Sequence, residues 1–302
     1  MGTALDKARA LQYGQLINAV YETFEYDKSA LTPEPRGLPQ DYEAFAWIQM
    51  KDFFLGNQEL NFYGFIVQRR SLPSEFTLAI RGTDTWIEWW DDADIFSVPF
   101  TSDPDAGRVT DGFNRIYETL TVVQKPDAFE PALTSPQPMQ GTFAEQVAQA
   151  VQKRTARLVG AKAADMPQSM AVTGHSLGAA LCTLYVAQNA YEKKLNVTAL
   201  CTFASPRVGN QAFSDHFRAL DVTSWRIVNE PDIAPNLPPD IFGFVHVDTV
   251  YAFNSTGIAK SSLGCAHAMN TYLSLLDSDW QLDPGCAPAG QDREMLSVLA
   301  RS

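Results

Sequence analysis

The run Gly174-His175-Ser176-Leu177-Gly178 has the residue types and spacing of a nucleophilic serine held in a sharp turn. It follows an apolar run and precedes a stretch rich in Ala and Leu, so the sequence predicts a strand that turns into a helix at Ser176. Glycines suit such a turn because they carry no Cβ. The alternative is a Gly-rich turn that only caps a helix. A catalytic role requires an acid and a histidine that follow Ser176 in the right order.

The chain has four histidines, and elimination favours His267 as the base. His175 adjoins the serine, where its side chain must point away from the hydroxyl. We expect His216 to be a half-buried residue within a helix and His246 to donate a structural hydrogen bond from an apolar strand. His267 lies in a loop that leads into the last amphipathic helix, and an imidazole there can take the serine proton and return it to a leaving alkoxide.

Asp232 is the favoured acid because it follows the predicted strand Trp225–Val228 and has prolines on both sides. The prolines end the strand and stiffen the loop, which suits a carboxylate that must hold an imidazole in one orientation. Glu230 is the rival acid, and a solvated loop carboxylate is the alternative to both. The order Ser176, Asp232, His267 is that of the α/β-hydrolases.

The elements that must position these residues alternate between strands and helices, and this alternation predicts a mostly parallel sheet covered by helices on both faces. Ligands of such sheets bind at the carboxyl ends of the strands. Neither a repeat nor a long linker divides the chain, which favours one domain over residues 1–302. The predicted helices are 5–25, Asp111–Val123, Phe143–Val159, Asn210–Leu220 and one starting near Cys265; the predicted strands are Asn61–Gln68, Phe76–Arg81, Val197–Phe203, Trp225–Val228 and Val245–Phe253.

Composition excludes several classes of function. A net charge of -12 and a pI near 4.7 argue against nucleic acid and against electrostatic binding to anionic membranes. No apolar run reaches the roughly 18 residues of a membrane span, so we expect no stable membrane insertion. The sequence has no zinc-like spacing, phosphate loop or dinucleotide fingerprint, so we expect no metal and no cofactor.

The cysteines and the N-terminus leave the compartment open. We expect Cys182 and Cys201 to be small buried thiols, whereas Cys265 and Cys286 bracket a helix and could close a disulfide. The N-terminal residues do not show the basic patch and apolar core of a signal peptide. A cytoplasmic protein and a mature secreted form are both compatible with this sequence.

Three further segments resemble one family. Ala79-Ile80-Arg81-Gly82-Thr83 resembles its oxyanion strand, Asp111-Gly112-Phe113 resembles a helix start, and residues 202–210 are similar to its T-F-G-x-P-R-V-G-N motif. Together with the serine turn they span most of the chain. The sequence resembles the class 3 lipases, which include the filamentous-fungal triacylglycerol lipases, bacterial relatives and some feruloyl esterases. This resemblance implies an α/β-hydrolase fold with a short helical lid.

The resemblance also assigns roles to individual residues. It implies that Ser176 is the nucleophile, Asp232 the acid and His267 the base. It implies that the backbone N–H groups of Thr83 and Leu177, with the Thr83 hydroxyl, hold the oxyanion. By the same resemblance Asp92, the aspartate of a W-x-x-D pattern, would hold the Thr83 hydroxyl in place.

By the same resemblance, residues 84–98 form a lid. Trp86, Trp89 and Trp90 recur at helical spacing, with Ile87 between them and acidic residues on the other face. Indole rings settle readily at an oil–water interface, where an opened lid would expose them. The alternative is that these tryptophans belong to the core.

The sequence therefore predicts a carboxylic ester hydrolase, and triacylglycerol lipase is the leading hypothesis. Its substrate would be an acylglycerol or another ester at an oil–water interface, and no obligate protein partner is implied. A feruloyl or other short-chain carboxylesterase with a fixed flap is the alternative within enzymes. A noncatalytic lipid-binding relative is the alternative outside them.

Overall fold

The computed structural model describes residues 4–51, 59–83, 96–124, 138–159 and 168–288. In chain order its strands are β1 (Tyr42–Lys51), β2 (Leu60–Arg69), β3 (Glu75–Ile80), β4 (Ser97–Pro99), β5 (Arg108–Thr110), β6 (Thr121–Val123), β7 (Ser169–His175), β8 (Asn196–Phe203), β9 (Gly209–Asn210), β10 (Thr223–Asn229), β11 (Phe244–Val245) and β12 (Thr249–Phe253). Its helices are α1 (Lys7–Tyr26), α2 (Asp111–Tyr117), α3 (Phe143–Val159), α4 (Leu177–Glu192), α5 (Gln211–Arg218), α6 (Leu263–His267) and α7 (Met269–Leu276).

Eight of these strands form one sheet in the order β12-β10-β8-β7-β3-β2-β1-β6. The pairings from β12 to β3 are parallel, and those from β3 to β6 are antiparallel. A small antiparallel sheet has the order β11-β9-β5-β4. The predicted mostly parallel sheet is confirmed for the half of the molecule that carries the serine turn.

Helices cover both faces of the large sheet, as the alternation predicted. On one face, Val172 of β7 and Leu200 of β8 pack in a core with α4. On the other face, Ala171 and Cys201 pack in a second core with α1 and α7. Because β7 is buried on both sides, Met170, Ala171 and Val172 follow one another without a polar residue between them, instead of alternating with polar residues.

Parallel pairing brings the ends of β3, β7, β8 and β10 to one edge of the sheet. In register, Ile80 of β3 lies beside Gly174 of β7, and His175 lies beside Phe203 of β8. Ile227, near the end of β10, also pairs with Phe203. The segments after these strands therefore leave the sheet side by side, and they contain Thr83, Ser176 and Asp232.

Several predicted elements have the observed bounds within one or two residues, among them α1, α3 and β8. The predicted helix Asp111–Val123 was wrong in its second half, since helix α2 ends at Tyr117 and 121–123 is strand β6, which pairs with β1. Its β-branched run, Thr121-Val122-Val123, favours a strand. Strand β1 was not predicted.

The predicted strand Val245–Phe253 was also wrong, because it is two strands in different sheets. Strand β11 pairs with β9 in the small sheet, and β12 pairs with β10 in the large one. The break contains Asp248, whose buried carboxylate accepts hydrogen bonds from Arg226 and Ser224. This side-chain pairing holds the chain between the two strands.

The cysteine pairing left open by the sequence is closed in the structure. Cys265 and Cys286 form a disulfide that joins α6 to the segment 284–286. Cys182 and Cys201 are buried free thiols, as predicted. The disulfide ties down the helix that ends at His267.

Candidate active site

Ser176 sits in a strained turn between β7 and α4. Its φ of 56° and ψ of -125° are unfavourable for any residue with a Cβ, at a cost on the order of 1–3 kcal/mol. The serine N–H donates to the carbonyl of Phe203 at 2.9 Å, and the serine carbonyl accepts from Ala179 at 3.0 Å. These bonds on both sides fix the backbone of Ser176 in this turn.

The glycines of the turn are required by close backbone approach. A Cβ on Gly178 would overlap the carbonyl oxygens of Ile80 and Arg81, and a Cβ on Gly174 would overlap the carbonyl of Gly178. Gly82 is equally close to the serine, since a Cβ there would lie 2.8 Å from the Ser176 Cβ. The turn thus packs directly on the segment that leaves β3, and this confirms the predicted strand–turn–helix context.

Asp232 contacts His267, and its rival Glu230 does not contact it. The Asp232 Oδ2 lies 2.8 Å from His267 Nδ1, and both side chains are buried. Glu230 is exposed and accepts a hydrogen bond from Asn254 at 2.6 Å. Glu230 directly follows β10, whereas Asp232 lies two residues further on, in the turn beyond the strand. This difference in position places Asp232, and not Glu230, against His267.

Three donors surround the Asp232 carboxylate. Besides His267, the Tyr272 hydroxyl donates to Oδ2 at 2.7 Å, and the Ala234 N–H donates to Oδ1 at 3.0 Å. Burial and the charge of Asp232 raise the pKa of Tyr272 well above its usual value, so this hydroxyl keeps its proton and remains a donor. A carboxylate held in this way is fixed in both position and orientation.

The contact with Asp232 determines which nitrogen of the neutral His267 ring carries the proton. A carboxylate can only accept, so the proton of the neutral imidazole sits on Nδ1 and Nε2 carries the lone pair. That is the tautomer a general base needs, because Nε2 can then take a proton from a hydroxyl. The ring centre of His267 lies 4.6 Å from that of His175, the neighbour of Ser176 in the chain.

The other three histidines have structural partners. His175 contacts the Tyr21 hydroxyl and the His267 carbonyl, so both of its ring nitrogens have partners other than the Ser176 hydroxyl. His216 is partly exposed on α5 and pairs with the buried Asp103 at 2.9 Å. His246 places Nε2 2.9 Å from the Pro235 carbonyl, as a structural hydrogen bond, although it lies between two strands and not within one.

The segment after β3 carries Thr83 and is held from two sides. The Gly82 N–H donates to the Tyr21 hydroxyl at 2.8 Å, and the Arg81 guanidinium donates to the Gly82 carbonyl at 2.7 Å. Arg81 is buried, with its guanidinium 3.5 Å from the ring centre of Phe24. Thr83 itself is buried, as is Leu177, the first residue of α4. Backbone N–H groups at a helix start favour negative charge, which suits an oxyanion.

Sequence reasoning missed the residues that support this site. Asn229 is buried at the end of β10, and its amide donates to the Ser255 hydroxyl at 2.9 Å and to the Ala266 carbonyl at 2.8 Å. It thereby joins the end of β10 to the residue before His267. Tyr272 could have been suspected, since it lies five residues after His267 in the helix that follows. The part played by Tyr21, over 150 residues before the serine turn, left no signal in the sequence.

Parts of the sequence prediction lie outside the described residues. These are Asp92 and the candidate lid residues Trp86, Ile87, Trp89 and Trp90. Of the segment 84–98, the structure describes residues 96–98, and Phe96 is 74% exposed. Among the described residues, no group of three or more His, Cys, Asp or Glu side chains could hold a metal ion, and no helix is long and apolar enough to cross a membrane.

Comparison with known proteins identifies a family. The model of the family Lipase (class 3) matches residues 77–242. The chain is 26% identical to Phospholipase A1-Igamma3, chloroplastic, of Arabidopsis thaliana, over 88% of this chain and 60% of that protein. It is 35% identical to a lipase of Rhizomucor miehei over 36% of this chain and 33% of that protein. The chain therefore spans less than two thirds of the length of either relative.

A solved structure shares the fold. The propeptide complex of Rhizomucor miehei lipase superposes with a TM-score of 0.58 over 91% of this chain and 80% of that one, at 22% sequence identity. This likeness and the sheet order confirm the predicted α/β-hydrolase fold. At this identity the likeness concerns the fold alone.

Replacing Gly178 by alanine tests the close approach in the serine turn. The new Cβ would meet the main-chain carbonyls of Ile80 and Arg81, which cannot move aside as a side chain can, so we expect Gly178→Ala to lower the free energy of unfolding by about 3 kcal/mol. The matched control is Gly264→Ala, because a Cβ on Gly264 meets no described atom within 4 Å. Urea unfolding of both variants measures the difference, and equal stabilities would contradict the packing argument.

The lowered pKa of the half-buried His246 predicts a loss of stability in acid. Burial, followed by the charges of Arg226 and Arg207, lowers the pKa of His246 from 6.5 to about 3. Between those pH values the unfolded chain binds a proton that the folded chain does not, so this contribution to stability is complete above pH 6.5 and is lost as the pH falls toward 3. Each such proton changes the free energy of unfolding by at most about 1.4 kcal/mol per pH unit.

The His246→Gln variant isolates this contribution, since glutamine keeps an N–H donor for the Pro235 carbonyl but does not titrate. We expect its unfolding free energy to depend less steeply on pH between 4 and 6 than that of the wild type, and the two curves to run parallel above pH 7. Urea unfolding at several pH values measures both. Curves that stay parallel down to pH 4 would show that His246 titrates normally in the folded protein.

Proposed function

This chain belongs to the class 3 lipase family, and on that premise we propose that it is a carboxylic ester hydrolase that cleaves acylglycerols. One observation carries the proposal: the buried pair of Asp232 and His267 lies at the same sheet edge as the strained Ser176. A fixed carboxylate, an imidazole of the right tautomer and a serine in a strand-to-helix turn are the parts of acyl-transfer chemistry.

In the proposed reaction, Nε2 of His267 takes the proton of Ser176 while Oγ attacks the ester carbonyl carbon. Asp232 stabilises the imidazolium that forms. The imidazolium then protonates the leaving alkoxide, the C–O bond of the ester breaks, and an acyl-serine remains. Water, deprotonated by the same imidazole, attacks the acyl-serine and releases the fatty acid and the free serine.

We assign the oxyanion of each tetrahedral intermediate to the backbone N–H groups of Thr83 and Leu177, with the Thr83 hydroxyl. Both residues adjoin the close contact between Gly82 and Ser176, and Leu177 starts α4. The positive end of that helix favours the developing negative charge. Loss of one such donor typically costs about 3 kcal/mol in the transition state.

Phospholipids are the second candidate substrates. The Arabidopsis relative that aligns with 88% of this chain is named a phospholipase A1, while the Rhizomucor relative is named a lipase. Both names describe hydrolysis of fatty-acyl esters, so the same serine chemistry would serve either. The substrates differ in the headgroup, and direct comparison on both distinguishes them.

The assignment of the residues is tested by substitution. We expect Asp232→Asn to lower kcat on nitrophenyl butyrate by roughly 10⁴-fold and Ser176→Ala to lower it by roughly 10⁶-fold, because each removes one member of the proposed triad. Glu230→Gln is the matched control, since it removes the neighbouring carboxylate that does not contact His267. An alkyl phosphonate should label Ser176 of the wild type, as detected by mass spectrometry. A folded wild type that is neither labelled nor active would favour the noncatalytic alternative.

The substrate class is tested with a panel on the wild type: emulsified triolein, phosphatidylcholine vesicles and methyl ferulate. We expect the highest rate on triolein. A higher rate on phosphatidylcholine would assign the protein to phospholipid hydrolysis, and a preference for methyl ferulate would favour the feruloyl esterase alternative. The Ser176→Ala variant gives the background for each substrate.

The lid stays a proposal that rests on the sequence of residues 84–98. If the indole rings of Trp86 and Trp89 meet the oil surface, their loss should matter only where such a surface exists. We therefore expect Trp86→Ala and Trp89→Ala to lower the rate on emulsified triolein severalfold more than the rate on soluble nitrophenyl butyrate. Equal losses on the two substrates would remove the lid interpretation.

A further inference from the structure

A chain of hydrogen bonds that begins on α1 joins three parts of the active site. The Gly82 N–H donates to the Tyr21 hydroxyl at 2.8 Å, and the same hydroxyl lies 2.8 Å from Nδ1 of His175. On the other side of the His175 ring, Nε2 lies 2.9 Å from the backbone carbonyl of His267. The linked parts are the segment that carries Thr83, the serine turn and the helix that ends at the base.

The partners fix the direction of every proton in this chain. The His267 carbonyl can only accept, so Nε2 of His175 must carry a proton and donate it. Burial, and then the nearby His267, lowers the pKa of His175 well below its usual value, so the ring is neutral and Nδ1 is an acceptor. Tyr21 therefore donates to Nδ1, and its oxygen accepts from Gly82. Reversing the tautomer would set a lone pair against the carbonyl oxygen.

The Tyr21 hydroxyl links two backbone segments of the site through its two hydrogen bonds. Gly82 precedes Thr83, and His175 precedes Ser176, so one oxygen atom sets the spacing between the residue before the oxyanion donor and the residue before the nucleophile. The packing around Gly82 is tight, since a Cβ on this residue would lie 2.8 Å from both the Tyr21 oxygen and the Ser176 Cβ. A displacement of about 1 Å between reacting groups can lower the rate of catalysis about a hundredfold.

We propose that Tyr21 is a positioning residue that holds the oxyanion segment and the serine turn in register through its hydroxyl group. The inference rests on the proposed ester hydrolase function. Tyr21 does not touch the substrate in this role. It acts through Gly82 on one side and His175 on the other, and through His175 on the backbone of the base.

The test is Tyr21→Phe, which keeps the ring and removes the hydroxyl. The matched control is Tyr13→Phe on the same helix, where the buried hydroxyl interacts with Arg9. We expect Tyr21→Phe to lower kcat on nitrophenyl butyrate about tenfold with KM changed less than twofold, because the loosened donor matters most when charge develops on the oxyanion. We expect Tyr13→Phe to retain the wild-type kcat.

Two further readouts separate positioning from general support of the fold. A boronic acid that forms a tetrahedral adduct with Ser176 should bind Tyr21→Phe more weakly by the same factor as kcat falls, because it uses the same oxyanion donors. In ¹⁵N-histidine spectra, Nδ1 of His175 should shift downfield when its donor is lost, while Nε2 stays protonated. Tyr13→Phe should leave both the adduct and the spectrum unchanged.

The outcomes distinguish the two levels of inference. If Ser176→Ala is as active as the wild type, the proposed function fails, and the spectra alone then judge the hydrogen-bond chain. If hydrolysis depends on Ser176 but Tyr21→Phe behaves like Tyr13→Phe in kcat, boronate affinity and spectrum, the positioning role of Tyr21 is overturned while the function stands.

Discussion

The contact between the main chain at Gly178 and the carbonyl oxygens of Ile80 and Arg81 is the constraint from which the site follows. It exists because β3 and β7 are parallel neighbours, so the segments that leave them meet at one edge. In the same turn Ser176 has a positive φ, and Gly82 lies against its Cβ. Ser176 and the segment that carries Thr83 are thereby placed together by backbone packing.

Asp232 and His267 are held by a different kind of interaction, a connected set of buried hydrogen bonds. Tyr272, His267 and the Ala234 N–H converge on Asp232, and Asn229 joins the end of β10 to the residue before His267. Buried polar groups are expensive unless they are paired, so a satisfied network admits few alternative arrangements. The disulfide between Cys265 and Cys286 secures the same helix covalently. Rigid packing on one side and a polar network on the other thus meet at the sheet edge.

Local sequence determined much of the fold. Apolar stretches predicted the buried strands β7 and β8, amphipathic spacing predicted α1, and a helical pattern predicted α3, because burial against a core imposes such periods on the residues themselves. Prediction from local sequence was wrong at 121–123 and at 245–253, where short strands depend on partners elsewhere in the chain. Pairing across a sheet is a non-local interaction, and a few β-branched residues do not reveal their partner.

The candidate site divides in the same way. The sequence by itself determined the strand–turn–helix at Ser176, the chain order of Ser176, Asp232 and His267, and the family to which the motifs point, since each depends on residues close together or on their order. Only the tertiary structure decided that Asp232 and not Glu230 contacts His267. It also decided that Tyr272 and Asn229 complete the network and that Tyr21 bridges Gly82 and His175. Those contacts are made across long separations in sequence, through hydrogen bonds whose geometry exists only after the sheet and its helices have packed.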